Sequence, residues 1–221
     1  KVHSIPPTRL DKRPVTLCGR ELSSQPQGLA ISRRRGYGLT HMAELTLKIH
    51  TSADGFIGRP DGDVDFIFPT MKGEDMSAWE VDVLWNCDLH LMGRVLYEDM
   101  APYWPTSDEP HAPPMNEIPK AVLSNTLTSA EWAGDNIING DLAEEIGRLK
   151  ENSEKGILLH GGASTARQLG DLGLIDEYVL IQHPVVIGEG LSIFNEGFDL
   201  ELTDLKRFDA GPFALTYRRA D

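Results

Sequence analysis

Cysteine is nearly absent: Cys18 and Cys87 are the only two in 221 residues, and they lie in segments of very different character. That argues against a disulfide framework and against a zinc site built on cysteine pairs, so no metal is expected. It fits a reducing, cytoplasmic setting. No stretch approaches the roughly 18 consecutive apolar residues that a membrane-spanning helix needs, and no apolar segment of secretory-signal type is visible. Basic charge is also scarce, with 21 Lys and Arg against 34 Asp and Glu and a net charge of −13. Eight of the basic side chains fall in residues 1–41, where only Asp11 and Glu21 oppose them, so the rest of the chain is more acidic than the total suggests. A body that acidic repels nucleic acid and anionic membranes. If it takes an anionic cofactor, it must do so with backbone amides, helix N-termini and a few well-placed cations.

What is present divides at about residue 42. Residues 1–41 contain Ile5-Pro6-Pro7, Ser23-Ser24-Gln25-Pro26 and Arg33-Arg34-Arg35, with no apolar period of 2 or 3.6. They read as a disordered or non-native extension, and residues 42–221 as one domain. From Ala43 the pattern becomes regular. Glu44–His50 alternates as a half-buried strand does, and Glu74–Trp85 has a helical apolar face. Leu89–Met92 reads as a buried strand ended by Gly93, and Arg94–Met100 as a helix stopped by Pro102 and Pro105. The five prolines between Pro105 and Pro119 mark a surface loop. Lys120–Ser124 and Asn136–Asn139 follow as strands, then a helix from Asp141 to Lys150 with Asp141 as its cap. Gly156–His160 is a strongly apolar strand leading through Gly161-Gly162 into a helix from about Thr165 to Leu172. Glu177–His183, Leu200–Leu205 and Phe213–Tyr217 are strands with no helix between them. Alternating strands and helices with a β-rich finish imply an α/β fold. Its sheet is mostly parallel and covered on both faces, with antiparallel C-terminal strands added at one edge.

Ligands of such sheets gather at the C-terminal ends of the parallel strands, and three segments there carry chemistry. In His160-Gly161-Gly162-Ala163-Ser164-Thr165, two glycines let backbone approach a diphosphate, and the helix that follows offers free N–H groups. Ser164 or Thr165 serves there as cap or ligand. A tight turn with an ordinary serine cap reads equally well from the spacing alone. In Leu91-Met92-Gly93-Arg94, an arginine stands at a helix start, where it opposes the helix dipole unless an anion is also present. A phosphate explains it, and so does a solvated pair with Glu98 four residues on. After the first strand, Thr51-Ser52-Ala53-Asp54-Gly55-Phe56 is either a simple Asp-Gly turn or a loop closing over cofactor and substrate. Trp79, Trp85, Trp132 and His183 read as packing residues, and the carboxylates are too scattered to nominate a catalytic pair.

Taken in order, these pieces resemble the RibD C-terminal domain family, the dihydrofolate-reductase-like reductases. The resemblance covers about Ala43 to Arg219. It is carried by Ser52-Ala53-Asp54-Gly55-Phe56-Ile57, Leu91-Met92-Gly93-Arg94 with Tyr97-Glu98, Pro119-Lys120 through Ser124, and Asn139-Gly140-Asp141-Leu142. It continues in His160-Gly161-Gly162-Ala163-Ser164, Leu174-Ile175-Asp176-Glu177-Tyr178 and His183–Gly190. The resemblance implies a three-layer αβα sandwich, often a homodimer, that binds NADPH through Thr51, Gly93, Arg94, Ser124, Gly161, Gly162, Ala163, Ser164 and Thr165. It places His160 and Asp54 toward a small-molecule substrate, and it implies a cis peptide between Gly161 and Gly162. Relatives in riboflavin synthesis carry a glutamate where this chain has His160, so their substrate does not simply carry over. Their zinc deaminase half, with its Pro-Cys-x-x-Cys motif, has no counterpart here.

The activity implied is reduction by NADPH of a C=N or imine-like bond in a pyrimidine- or pteridine-like heterocycle, as in 5-amino-6-(5-phosphoribosylamino)uracil reductase and dihydrofolate reductase. The alternative is a non-catalytic NADPH-binding module with a regulatory or assembly role.

Overall fold

The computed structural model describes residues 42–220, so the reading of residues 1–41 and of Cys18 lies outside the described residues. Eight strands form one sheet. They are β1 (Leu45–Thr51), β2 (Leu89–Gly93), β3 (Lys120–Leu123), β4 (Ile137–Ile138), β5 (Ile157–Leu159), β6 (Glu177–Gln182), β7 (Leu200–Arg207) and β8 (Phe213–Arg219). Their order is β4-β3-β2-β5-β1-β6-β8-β7. The first six are parallel, and β8 pairs antiparallel with both β6 and β7. Five helices cover the sheet: α1 (Glu74–Trp85), α2 (Arg94–Met100), α3 (Ala112–Glu117), α4 (Leu142–Asn152) and α5 (Ala163–Asp171).

The alternation of each strand assigns the two faces. Leu45, Leu47 and Ile49 of β1, Leu91 of β2 and Ile157 and Leu159 of β5 point to one face. There Ile146 and Leu149 of α4 and Ala166 and Leu169 of α5 close a single apolar cluster. The opposite face meets α1, α2 and α3. Met76 and Trp79 of α1 pack on Val179, Ile181, Phe208 and Ala214, and Leu84 packs on Met115, Ile118 and Leu158. Tyr97 of α2 packs on Met92 and Val122. Each fully buried side chain of this size is worth about 1.5–3 kcal/mol, which holds α1 in place despite its two tryptophans and two valines.

Two differences from the sequence reading bear on the site and its cover. The proline-rich stretch is not all loop: α3 forms within it, with Pro113 and Pro114 as its second and third residues, in the first turn, where a missing N–H costs no helical hydrogen bond. α5 begins at Ala163, two residues before the expected Thr165, with Gly162 in the capping position.

Candidate functional site

The carboxyl ends of β2 and β5 lie side by side, because Leu91 pairs with Leu159 and the His160 N–H donates to the Leu91 carbonyl at 3.0 Å. Each strand leads straight into a helix that no side chain caps: Gly93 precedes α2 and Gly162 precedes α5. α4 is the contrast, with the Asp141 carboxylate accepting from the Ala143 and Glu144 amides. The first backbone bond of α5 is Ala166 N–H to the Gly162 carbonyl, so the amides of residues 163–165 have no acceptor within the helix. Ser164 does not cap; its hydroxyl accepts from the Gln168 side chain at 3.1 Å.

The glycines bring these two junctions together. A Cβ on Gly93 would sit 2.2 Å from the Thr165 hydroxyl, so only glycine lets the end of β2 press against the first turn of α5. Gly161 and Gly162 have φ of +91° and +89°, a region nearly closed to other residues. These two dihedrals reverse the chain by themselves. No peptide bond among the described residues is cis, so the expected cis Gly161-Gly162 bond is not formed. The pair also divides the work: a Cβ on Gly161 would meet Ile49 Cδ1 at 2.6 Å, whereas one on Gly162 meets nothing within 4 Å. Gly161 is packed and Gly162 faces open space, beside free amides.

The remaining predicted residues are placed as follows. Arg94 stands at the start of α2 and pairs with Glu98 at 2.7 Å, both side chains partly exposed. Ser124 follows β3, its hydroxyl accepting from the Thr126 and Leu127 amides. Thr51 is buried at the end of β1, its carbonyl accepting from the His183 amide. Asp54 lies on the exposed loop after β1, and its carboxylate accepts from the amides of Ile187 and Gly188 at 3.3 and 2.8 Å. Together with Ala53 N–H to Val185 O and the Gly58–Leu191 bridge, this pins the loop to residues 185–191. A surface groove of about 680 Å³ between α2 and residues 129–132, lined by Tyr97, Ala101 and Trp132 among others, contains none of these positions.

The sequence reading missed a web of ionisable groups under α1 and α3. On β1, Lys48 and His50 point to the face opposite the aliphatic core, where Glu80 of α1, only 3% exposed, receives them both. Lys48 Nζ lies 2.6 Å and His50 Nε2 3.2 Å from one carboxylate oxygen, and His111 Nε2 lies 3.7 Å from the other. Burial would raise the Glu80 pKa, but the Lys48 charge and the hydrogen bonds from His111 and His50 outweigh it and hold the carboxyl well below its usual range. His50 donates through Nε2 to Glu80, so its Nδ1 accepts from His183 Nε2 at 2.9 Å, and His183 Nδ1 meets the Thr70 hydroxyl at 2.6 Å. A second pair joins β5 to β2: His160 Nε2 lies 2.7 Å from His90 Nδ1, and His90 Nε2 lies 3.2 Å from the Pro114 carbonyl. The available signal was a titratable residue at alternate positions of otherwise apolar strands, as at Lys48 and His50. Among the described residues no group of three or more His, Cys, Asp or Glu is placed to hold a metal ion.

These histidines set a pH limit. Burial is the largest cause lowering the pKa of His50, His90, His160 and His183, with His90 and His183 brought to about 4. A histidine whose folded pKa lies below its unfolded value of about 6.5 binds its proton more readily in the unfolded chain. Stability is therefore fully present above pH 6.5 and is lost as pH falls toward 4. His90 and His183 each contribute on the order of 2–3 kcal/mol to that loss. Urea unfolding at pH 7.5, 6.0 and 5.0 should show a steady fall. A flat profile over that range would mean the histidines are solvated.

The family model of the RibD C-terminal domain matches residues 43–212. The chain is 31% identical over 181 residues to the uncharacterised protein YyaP of Bacillus subtilis, covering 78% of this chain and 93% of that protein. Among solved structures, a pyrimidine reductase-like protein from Corynebacterium diphtheriae superposes with a TM-score of 0.60 at 16% identity, covering 81% of this chain and 92% of that one. Dihydrofolate reductase from Enterococcus faecalis in complex with NADP(H) superposes at 0.51 and 17% identity, over 80% of this chain and 97% of the other. Both likenesses are of fold. Among the described residues no helix is long and apolar enough to cross a membrane.

Proposed function

The chain belongs to the RibD C-terminal domain family, and from that membership and the geometry of its strand ends we propose that it is an NADPH-dependent reductase acting on a C=N or imine-like bond of a small pyrimidine- or pteridine-like molecule. The observation that carries the reading is the paired junction at β2 and β5. Two helix starts without side-chain caps converge there, able to approach because Gly93 has no Cβ to meet Thr165, and Gly162 leaves open space in front of the α5 amides. In an acidic chain this is a means of holding a diphosphate with dipoles and few cations. NADPH, when bound, supplies the hydride. Gly162, Ala163, Ser164 and Thr165 would hold its diphosphate, Gly93 and Arg94 its 2′-phosphate side, Ser124 the end of β3 beside them, and Thr51 the nicotinamide side. The work of the protein is to align the acceptor with the cofactor and to exclude water. A homodimer and a cytoplasmic location are part of the same reading.

Arg94 tests the choice of cofactor. Its present partner is the partly exposed Glu98, and an i,i+4 pair of that kind is worth only about 0.3–0.5 kcal/mol. A phosphate dianion offers charge-assisted hydrogen bonds worth more than that, so the side chain exchanges partners at little cost. Arg94→Ala should weaken NADPH binding by about 1–3 kcal/mol and leave NADH binding nearly unchanged, as read by calorimetry. Equal losses for both cofactors would remove Arg94 from the 2′-phosphate. Oxidation of NADPH in the presence of aminopyrimidines, pteridines and quinonoid acceptors tests the activity itself.

A further inference from the structure

We propose that His160 is a fixed hydrogen-bond acceptor at the substrate side of the site, recognising an N–H of a neutral heterocycle, and that His90 is the positioning residue that fixes it. The inference rests on the reductase reading for what enters the site, but the state of the ring follows from the protein alone. The starting point is a group that can only accept. The Pro114 carbonyl lies 3.2 Å from His90 Nε2, so that nitrogen must carry the hydrogen. A neutral His90 then has a bare Nδ1, and this atom faces His160 Nε2 at 2.7 Å. The only complementary arrangement puts the hydrogen on His160 Nε2, donating to His90. His160 Nδ1 is left with a lone pair and has no hydrogen-bond partner among the described residues.

The surroundings keep both rings neutral. Burial is the largest cause, lowering His90 to about 4 and His160 well below its ordinary value, and the charges of Lys48 and Lys120 oppose a further positive charge at His160, with only Glu80 acting the other way. The Cys87 thiol, 3.8 Å from His90 Nδ1, donates to the Leu84 carbonyl at 3.2 Å. Burial pushes its pKa up to about 11, so it stays protonated and brings no negative charge. His160 is half-buried at the end of β5, one residue before Gly161-Gly162, so its free nitrogen belongs to the same strand end as the cofactor amides.

Two consequences follow. His160 is not the donor of the proton that a reduced C=N nitrogen requires, because its unpartnered nitrogen carries none; that proton comes from another donor. Instead His160 selects: an amide-type or ring N–H satisfies the lone pair, whereas an N-alkylated analogue leaves it unpaired.

Long-range proton–nitrogen correlation spectra of nitrogen-15-labelled protein at neutral pH decide the ring state without any ligand. The expected result is a single tautomer of His160 with hydrogen on Nε2 and a bare Nδ1. A ring with hydrogen on Nδ1, or a protonated ring, overturns the proposal. His90→Phe should replace the single tautomer by a mixture, and His90→Gln, which keeps an acceptor, should restore it; an unchanged tautomer in a folded His90→Phe protein overturns the role of His90. Binding of uracil, which carries two ring N–H groups, and of 1,3-dimethyluracil, which carries none, to the NADPH-loaded protein supplies the second arm. The unmethylated compound should bind at least tenfold more tightly, and His160→Leu should abolish the difference. Equal affinities in the wild-type protein overturn the recognition role. Binding of neither compound, with the tautomer as expected, counts against the pyrimidine class and not against the acceptor.

Discussion

Glu80→Ala should destabilise the folded domain by about 3–5 kcal/mol, the largest loss expected from any single side chain outside the aliphatic core. The reason is what the substitution leaves behind. Glu80 is 3% exposed, and its carboxylate receives Lys48 at 2.6 Å, His50 at 3.2 Å and His111 at 3.7 Å. With the carboxylate gone, the ammonium of Lys48, itself only 11% exposed, is an unpaired charge between β1 and α1. His50 loses the acceptor that sets its orientation, and with it the chain of bonds through His183 to Thr70. Glu80→Gln keeps the shape and one acceptor oxygen and should cost less. Denaturant unfolding at pH 7.5 measures both. A loss below about 1 kcal/mol for the alanine variant would mean that water already screens the cluster, as it does for surface pairs.

Much of the architecture can be read from the chain, and the reasons differ from element to element. α1 forms over the residues that its apolar spacing indicates, and α2 over those between Gly93 and the prolines at 102 and 105. Asp141 caps α4 as its position suggests. α3 is hidden, since prolines are ambiguous: they stop a helix in its interior and are harmless in its first turn, which is where Pro113 and Pro114 fall. The site is legible in the same partial way. Gly93 and the Gly161-Gly162 pair announce themselves as glycines, but that Gly93 presses on Thr165 is a fact of sheet order, since β5 inserts between β1 and β2. The trans geometry of the glycine turn was not foreseen, because two positive φ angles achieve what a cis bond was expected to achieve.

The histidine and lysine web was illegible for a related reason. Lys48, Glu80, His111 and His183 lie on four separate segments, and no spacing along the chain relates them. The pairing of β1 with β6 and the packing of α1 and α3 on that face bring them to one cluster. Asp54 illustrates the converse. Its place in a matching motif suggests a role toward substrate, while in the structure its carboxylate is taken up by the amides of Ile187 and Gly188, holding two loops together.

Gly162→Val carries the other large expected effect, and it bears on the cofactor. The Cα of Gly162 faces space that is open out to 4 Å, directly before the unpartnered amides of α5. A valine there fills the volume that a diphosphate would occupy and, at φ of +89°, adds backbone strain of about 1–3 kcal/mol. That strain is affordable to a stable domain, so the variant should fold while binding is lost. Gly161 differs, since its Cβ would strike Ile49 at 2.6 Å; substitution there injures packing first and is the wrong probe.

The direct test of the paired β2 and β5 junction as the NADPH site is therefore a calorimetric titration of NADPH into wild-type and Gly162→Val protein, with circular dichroism to verify that both are folded. Saturable binding by the wild type and none by the folded variant is the predicted result. Wild-type affinity in the folded variant would place the cofactor elsewhere and contradict the account.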